Sequence, residues 1–595
     1  MEYLVAAEIE IDGNKIEHFT NITLRQKFNA HHEFTIRISH DVLESSGSFS
    51  LENAQKKIGK SALIRLKKLH ISMKDILEFR GIICEVRVEQ SGNSDADVVL
   101  IGYSPTILLE NGQHLASFYK TDLKKIVQQV TKPLGNVNCN VNIKNQYNKQ
   151  ITYTCQYKES SFHFLNRLSA DYSEFFYYDG IDLNFGKPSS SKTVDVIYGE
   201  DISSMQMKLQ AQPMKFSNYA YISKENKIEK YDAPLNVNGL GQYARHVLKE
   251  SNNLFSESVN QPVRQRVESK SDLENFVKNQ KAAIAASLEV LTGTCFNPAV
   301  SLGSIINVKV SRFQDGAFIR EDYGKFLVIG VEHHVNGNGK YYHTFEAIPS
   351  SLEVLPLPQV IIPLAEPQIA TVKHNDDPDG AGRIRVQMLW QNGNEMTDWI
   401  RVMTPDAGGG KGGAKNRGFV VIPEPGDQVL VCFRYNDPDR PFIMGSMFHG
   451  KSGGGGGSGN KSKSLTALSG STIMLDGDAI NVIDAAGNSI KIDGAGKISI
   501  DCTSEIKLKS GASSITLASD GTITLDGVNI NIKGSSKAEM KSSVASFKAE
   551  AVNATMSGVM TEVKGDAQTK VGGAMIEING SGVVDIKGGM IKKNG

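Results

Sequence analysis

From Lys451 to Gly595 the chain contains a single aromatic residue, Phe547, and no Pro, Arg, His, Tyr or Trp. What remains is Gly, Ser, Ala, Lys and Asp, punctuated by aliphatic pairs two residues apart: Ile490/Ile492, Ile498/Ile500, Ile506/Leu508, Ile515/Leu517, Ile523/Leu525 and Ile530/Ile532. Successive pairs are 8, 8, 9, 8 and 7 residues apart. Residues i and i+2 of a strand share a face, so each octad offers one narrow apolar face and one turn. Strands this short cannot bury enough surface alone, and without aromatic residues they cannot fill a wide core. Two fibrous builds answer this: one chain coiled on itself, or three chains wound into a β-prism around a thin aliphatic column. A single-chain solenoid needs coils of about twenty residues, so octads fit better as one face each of a three-chain prism. There each strand would pair with strands of the other two chains, making a homotrimer obligatory. About sixteen octads at roughly 4.8 Å per strand give a rod on the order of 75 Å long. The paired residues named above are the expected needle core.

The 595 residues carry 65 basic and 65 acidic side chains, a formal net charge of zero. That balance points away from nucleic acid and from anionic lipid as partners. Cys84, Cys139, Cys155, Cys295, Cys432 and Cys502 are scattered without a CxxC and read as reduced thiols, not a disulfide framework. The start, MEYLVAAEIEIDG, reads as a first strand and lacks the basic and long apolar regions of a signal peptide. No stretch approaches the ~18 apolar residues of a membrane span. The expected location is cytoplasmic: such a chain must stay there or leave by a dedicated machine.

Residues 1–110 alternate in short runs such as VAAEIEI and DVVLIGY, a β-rich pattern. Thr121 is placed to N-cap a short helix ending at Val130, and Ser160 to cap one in which Phe162, Leu165 and Leu168 share a face. FFYYDGIDLNF reads as a hairpin turning at Asp179-Gly180. Residues 272–291 read as a longer helix with Phe276, Ile284, Leu288 and Leu291 on one stripe. LPLPQVIIPLAEP reads as an extended linker. Residues 369–449 hold five or six short strand patterns, IATVKHN, GRIRVQML, DWIRVMT, GFVVIP, DQVLVCF and PFIMGSM, which suggests an OB-fold-like barrel. A Gly-rich joint follows, then the octads.

Motifs that carry chemistry are weak. Asn375-Asp376-Asp377-Pro378-Asp379-Gly380 opens like a calcium loop, but Val386 stands where the bidentate Glu belongs; an acidic turn is the better reading. Gly408-Gly409-Gly410-Lys411-Gly412-Gly413 lacks the Ser or Thr of a phosphate loop and reads as a surface loop. His333 and His334 adjoin on a strand, so they face opposite sides and cannot easily share a metal. There is no HExxH, GxSxG or Cys/His cluster, so no catalytic residue, cofactor site or metal site is expected.

Several segments resemble one family. Asp377-Pro378-Asp379-Gly380-Ala381-Gly382-Arg383-Ile384-Arg385-Val386, Trp399-Ile400-Arg401-Val402, Pro425-Gly426-Asp427-Gln428-Val429-Leu430-Val431 and Asp437-Pro438-Asp439-Arg440-Pro441 resemble the small barrel of VgrG-type spikes, the hub and needle of type VI secretion and related contractile injection systems. CQYKESSFHFLNRLSADY resembles the hub signature of that family, and GVEHHV and FEAIPSS its closing strands. Gln428 stands where many relatives carry Glu. The resemblance implies a mainly β chain. A first hub β-barrel would occupy 1–150, a second with helices 151–354, a linker 355–368 and an OB-fold-like barrel 369–449. A Gly-rich joint (450–464) and a three-chain intertwined β-helix (465–595) would follow. It further implies a homotrimer whose hub caps an Hcp-like hexameric tube protein, contacts baseplate proteins, carries effector cargo and pierces a target membrane. A PAAR-type tip protein would dock on Val584, Ile586 and Ile591. A phage tail spike or an extracellular contractile injection particle would look similar. A cell-wall hydrolase would need an extra domain where only the Gly-rich joint stands, and a β-solenoid adhesin would normally need a signal peptide.

Overall fold

The computed structural model describes residues 4–44, 51–68, 75–91, 95–188, 191–314, 317–541, 543, 548, 550 and 553–593. Phe547 lies outside them. The chain is mainly β and divides into two compact units, Met1–Gly455 and Gly456–Gly595.

The first unit is built on a 13-stranded sheet. Its first half holds Val5–Ile11, Asn14–Ile16, Asn21–Lys27, Glu33–Ser39, Ser61–Lys68, Asp75–Ser91 and Asp95–Tyr103. Strict alternation sets the faces: in Glu33–Ser39, Phe34, Ile36 and Ile38 point into the core. Glycine makes room for the Phe34 ring, since a Cβ at Gly81 or Gly102 would come within 2.5 or 2.3 Å of it. The second half holds Thr193–Tyr198, Ile202–Leu209, Glu289–Cys295, Ile305–Gln314, Ala317–Asn336 and Tyr341–Pro349. Here Ile305–Gln314 pairs with both Thr193–Tyr198 and Ala317–Asn336, which closes six strands into a ring. The halves meet where Asn21–Lys27 runs antiparallel to Ala317–Asn336.

The helix Ser161–Tyr172 is capped by Ser160, whose hydroxyl accepts from the His163 amide, and it buries Phe162, Leu165 and Leu168 as the sequence predicts. These residues, with Ile151 and Phe185, pack into the same core as Val5 and Phe34. Packing therefore does not divide at residue 150. Some local expectations need correction. The helix Leu123–Val130 is capped by Asp122, because Thr121 is still in the preceding strand and pairs with Ile151. The hairpin of Phe176–Tyr178 and Leu183–Gly186 turns through four residues, with Asp179 accepting from the amides of Ile181 and Asp182. The longer helix is Lys270–Ala285, capped by Ser269; Leu288 follows it and Leu291 lies in the strand Glu289–Cys295.

The segment 368–446 forms a four-stranded sheet of Gln368–His374, Arg385–Met388, Gln428–Phe433 and Pro441–Ser446. Single bridges from Ile400 and Val402 extend it. GFVVIP does not form the expected strand: only Arg417–Gly418 is paired, and Phe419, Val420 and Val421 are exposed.

Three imidazoles, His32, His333 and His343, are buried near the seam between the two halves. His333 and His343 share the Tyr341 hydroxyl through their Nδ1 atoms at 2.7 and 3.0 Å, while His32 Nδ1 meets Gln26. Burial pushes His32 and His333 down to about 3 and His343 well below its usual value. Between the ordinary 6.5 and about 3 the unfolded chain takes up protons that the fold refuses. Stability is thus full above pH 6.5 and lost as pH falls, by up to about 1.4 kcal/mol per pH unit for each histidine. The urea midpoint of the first unit should drop steadily as the buffer is acidified from neutral, and His333→Gln should flatten that slope. An acid-insensitive midpoint would contradict the assignment.

Candidate functional site

The second unit places the expected needle residues on strands. Ser462–Thr466, Thr472–Asp476, Ala479–Ile483, Ser489–Ile492 and Ile498–Asp501 form one sheet; Glu505–Ser510, Ser513–Ala518 and Ile523–Asp526 form another. Each strand pairs antiparallel with the next strand of its own chain. This corrects the expectation that these strands pair only with other chains: within 462–526 every strand pairs with a neighbour of its own chain, and only the outer edges of the two sheets have no strand partner among the described residues.

The register aligns the aliphatics. Leu465, Ile473, Val482, Ile490 and Ile500 stand opposite one another in a row across the five strands. Leu475, Ile480, Ile492 and Ile498 form a second row two residues along. The second sheet repeats this with Ile506, Leu517 and Ile523 beside Leu508, Ile515 and Leu525. Rows at i and i+2 share one face, and Ser464, Asn481, Lys491 and Ser499 alternate onto the other. The nine side chains of the first sheet remain 39–66% exposed. A contiguous apolar surface of this kind marks an interface. Ile530 and Ile532 belong to no strand, and together with Val584, Ile586 and Ile591 they are exposed.

The loops have a common design. Ala467–Ser471, Asp484–Asn488, Asp493–Lys497 and Ala518–Thr522 each close with a hydrogen bond from the first amide to the fifth carbonyl. Each has glycine fourth, at φ from +84 to +101, a conformation costly for other residues. The Asn488 side chain donates to Asp484, and Asp484 and Asp493 each accept two amides of their own loop, which lowers the pKa of both.

A second constellation lies inside the first unit. In the strand Ile151–Glu159, Tyr153, Cys155 and Tyr157 point into the core of the small barrel, against Val372, Val386 and Val429. The loop Asp437–Pro441 grips the same strand. Asp439 accepts from the Cys155 amide at 2.7 Å and the Thr154 hydroxyl at 3.1 Å. Arg440 donates to the carbonyls of Val263, Arg264 and Gln265 at 2.6–2.9 Å. Arg167, 6% exposed, makes a two-pronged pair with Glu159 at 2.9 Å and lies within 3.8 Å of Asp171 and 3.7 Å of Asp439. Arg264 pairs with Asp171 and Arg266 with Asp398. Tyr435 and Asn436, at φ +59 and +56, form the strained turn that starts the loop. Burial pushes Asp439 up to about 7 against the pull of Arg167. Sequence patterns flag both segments but not their contact.

The remaining candidates are structural. Asp377 spends both carboxylate oxygens on the amides of Asp379, Ala381 and Arg383 and on the Arg383 guanidinium, which holds it far below the usual carboxylate range. Gly412 and Gly413 turn a surface loop at positive φ. His334 meets Glu332 on the face opposite His333. His31 links the Thr106 hydroxyl to Glu110, but Thr106 is fully buried, so this chain braces the fold. No group of three or more metal-ligating side chains occurs among the described residues.

Residues 368–448 match the type VI secretion system/phage-baseplate injector OB domain. The chain is 29% identical over 198 residues to the type VI secretion system spike protein VgrG1a of Pseudomonas aeruginosa, covering 30% of this chain and 29% of that protein. It is 32% identical over 157 residues to VgrG1b of the same organism, covering 23% and 20%. The matches thus span less than a third of these relatives. In fold it is similar to a chain of the Francisella PdpA–VgrG complex, half-lidded, at a TM-score of 0.51 and 9% identity, over 84% of this chain and 88% of that one. Over about a third of its length in sequence, and in fold, the chain is similar to VgrG-type spikes.

Replacing Arg167 with Met should leave Glu159, Asp171 and Asp439 without their shared cation and cost about 3–5 kcal/mol. Asp439→Asn, in contrast, should cost only about 1 kcal/mol at neutral pH, because burial pushes this carboxyl up to about 7 and leaves it only about half charged there. Urea unfolding, with proteolysis of the 355–367 segment as a second readout, checks the difference; equal losses would argue against it.

Proposed function

We propose that three copies of this chain assemble into the spike of a type VI secretion system: a hub that caps the tube and a needle that pierces a membrane mechanically. The observation that carries this is the pair of aliphatic rows on the needle strands, paired in register yet open to solvent. Three such faces turned toward a common axis would cover one another. Burying the exposed half of each side chain is worth roughly 1 kcal/mol, so nine from each chain make a strong association. In 462–526 the contact would be made by side chains over intact intrachain sheets. Intertwined three-chain pairing is reserved for the segment beyond Asp526, where Ile530 and Ile532 await partners. The curated relatives named above are type VI secretion spikes, which favours that machine over a phage tail or an extracellular particle.

In this reading residues 1–354 form the hub, meet an Hcp-like hexameric tube protein and contact the baseplate. The small barrel at 369–449 gathers the chains, 450–464 joins it to the needle, and effectors travel with the assembly. The role is mechanical: folding free energy goes into a stiff trimer, not into stabilising a transition state. Val584, Ile586 and Ile591 are the proposed docking residues for a PAAR-type tip protein.

Leu517→Asp places three charges on a column a few side chains wide, at several kcal/mol each. Light scattering should then report monomers or aggregates in place of trimers, whereas a fully stable trimer would refute the register. Removing residues 584–595 should abolish capture of a PAAR-type protein while the trimer persists; unchanged affinity would move the docking site elsewhere.

A further inference from the structure

The zero net charge of the chain conceals a polarity along the needle. Residues 465–526 hold eight carboxylates against four lysines, whereas residues 527–595 hold nine lysines against six carboxylates. Neither segment contains arginine or histidine. In a trimer the proximal part would carry twelve excess negative charges and the distal part nine excess positive ones.

The proximal carboxylates have a structural use. Asp484, Asp493 and Asp520 accept amides of their own loops, and Asp476 accepts from Ser462. The distal lysines have no comparable task. Five are paired two residues away: Lys537 and Lys541 with Glu539, Lys548 with Glu550, Lys564 with Glu562, Lys587 with Asp585. Lys533, Lys570, Lys592 and Lys593 make no ion pair or hydrogen bond with a side chain among the described residues, and all are exposed. Position in the chain also sends the charges outward. Met540 lies between Glu539 and Lys541, Val563 between Glu562 and Lys564, Ile586 between Asp585 and Lys587. In extended chain, neighbours take opposite faces, so an aliphatic axis leaves the lysines on the surface.

We propose that the distal half of the needle is a cationic surface that engages the anionic phospholipid headgroups of the membrane it enters. The inference rests on the trimer proposed above, which triples each lysine around the axis. Lysine suits the task, since it is a hydrated point charge on a long flexible stem that can follow a disordered headgroup layer. Each lysine near an anionic surface strengthens binding about fivefold, and the attraction is screened within a Debye length. The acidic proximal half would be repelled by the same surface, which restricts contact to the distal part.

The test uses the full chain and sedimentation with vesicles of phosphatidylcholine alone or mixed equally with phosphatidylglycerol, at low and high salt. The trimer should sediment with the anionic vesicles at low salt, and not with the neutral ones. A variant with Lys533, Lys570, Lys592 and Lys593 each changed to Gln should lose at least about tenfold in affinity. A control with Lys491, Lys497, Lys507 and Lys509 changed to Gln should bind as the parent does. Binding to neutral vesicles of equal strength, an unaffected distal variant, or an equal loss in the control would each overturn the inference. Sedimentation velocity on the same samples separates the two readings. A trimer that ignores anionic vesicles overturns only the lipid surface, whereas a monomer overturns the assembly and the lipid surface with it.

Discussion

A guanidinium withdrawn from water, Arg167, is held by Glu159 with Asp171 and Asp439 close by, and the architecture of the first unit depends on it. Ionic contacts this buried contribute little net stability, because desolvation offsets the attraction. What they exclude is misdocking: a small barrel seated one residue out of place would strand several charges. The favourable free energy comes instead from Tyr153, Cys155 and Tyr157, which complete the apolar core of the small barrel from the strand Ile151–Glu159. Register is thus set by charge and adhesion by apolar burial. The stretch 355–367 that joins the two parts along the chain has no regular structure of its own to resist a load.

The needle divides its interactions differently. Its strands pair with one another within the chain and leave only the outer edges of two sheets without a strand partner among the described residues, so unpaired amides are a small part of what an isolated copy lacks. Its side chains are left unsatisfied, nine large aliphatics to one sheet without a cover. Association is then driven by apolar burial, which is non-directional. Direction comes from the turns. The five-residue loops with glycine fourth fix where each strand begins, and a one-residue slip would move every aliphatic to the wrong face.

Much of this was legible in the chain because it is periodic or local. The aliphatic pairs two residues apart announce a shared face, and from Ile490 to Leu525 that spacing survives in the sheet register, whereas Ile530 and Ile532 lie in no strand. Ser160 caps its helix because a hydroxyl before an apolar periodic run needs only its own neighbours. The failures are equally physical. Thr121 resembles a cap, but strand pairing with Ile151 claims it and leaves Asp122 to do the work. Leu288 and Leu291 fit a helical stripe, yet the strand Glu289–Cys295 gains partners on both sides and ends the helix early. Strand pairing in the needle was assigned to other chains because octads fit a prism, whereas hairpin loops of this length return each strand to its own neighbour. The contact between Cys155 and Asp439 spans 284 residues, and no local pattern reports a distance of that kind.

The formal charge shows how a sum can hide a gradient. Equal totals of acid and base read as indifference to charged surfaces, but charges segregated along the chain do not act in aggregate. Carboxylates gather where five-residue loops need an acceptor for their amides, since Asp is short enough to reach them. Beyond Asp526 the described residues form no strands within the chain, that need lapses, and the lysine excess begins. The polarity is therefore anchored on one side by turn chemistry. Substituting the loop aspartates to even out the charge would unmake the turns that hold the strands in register.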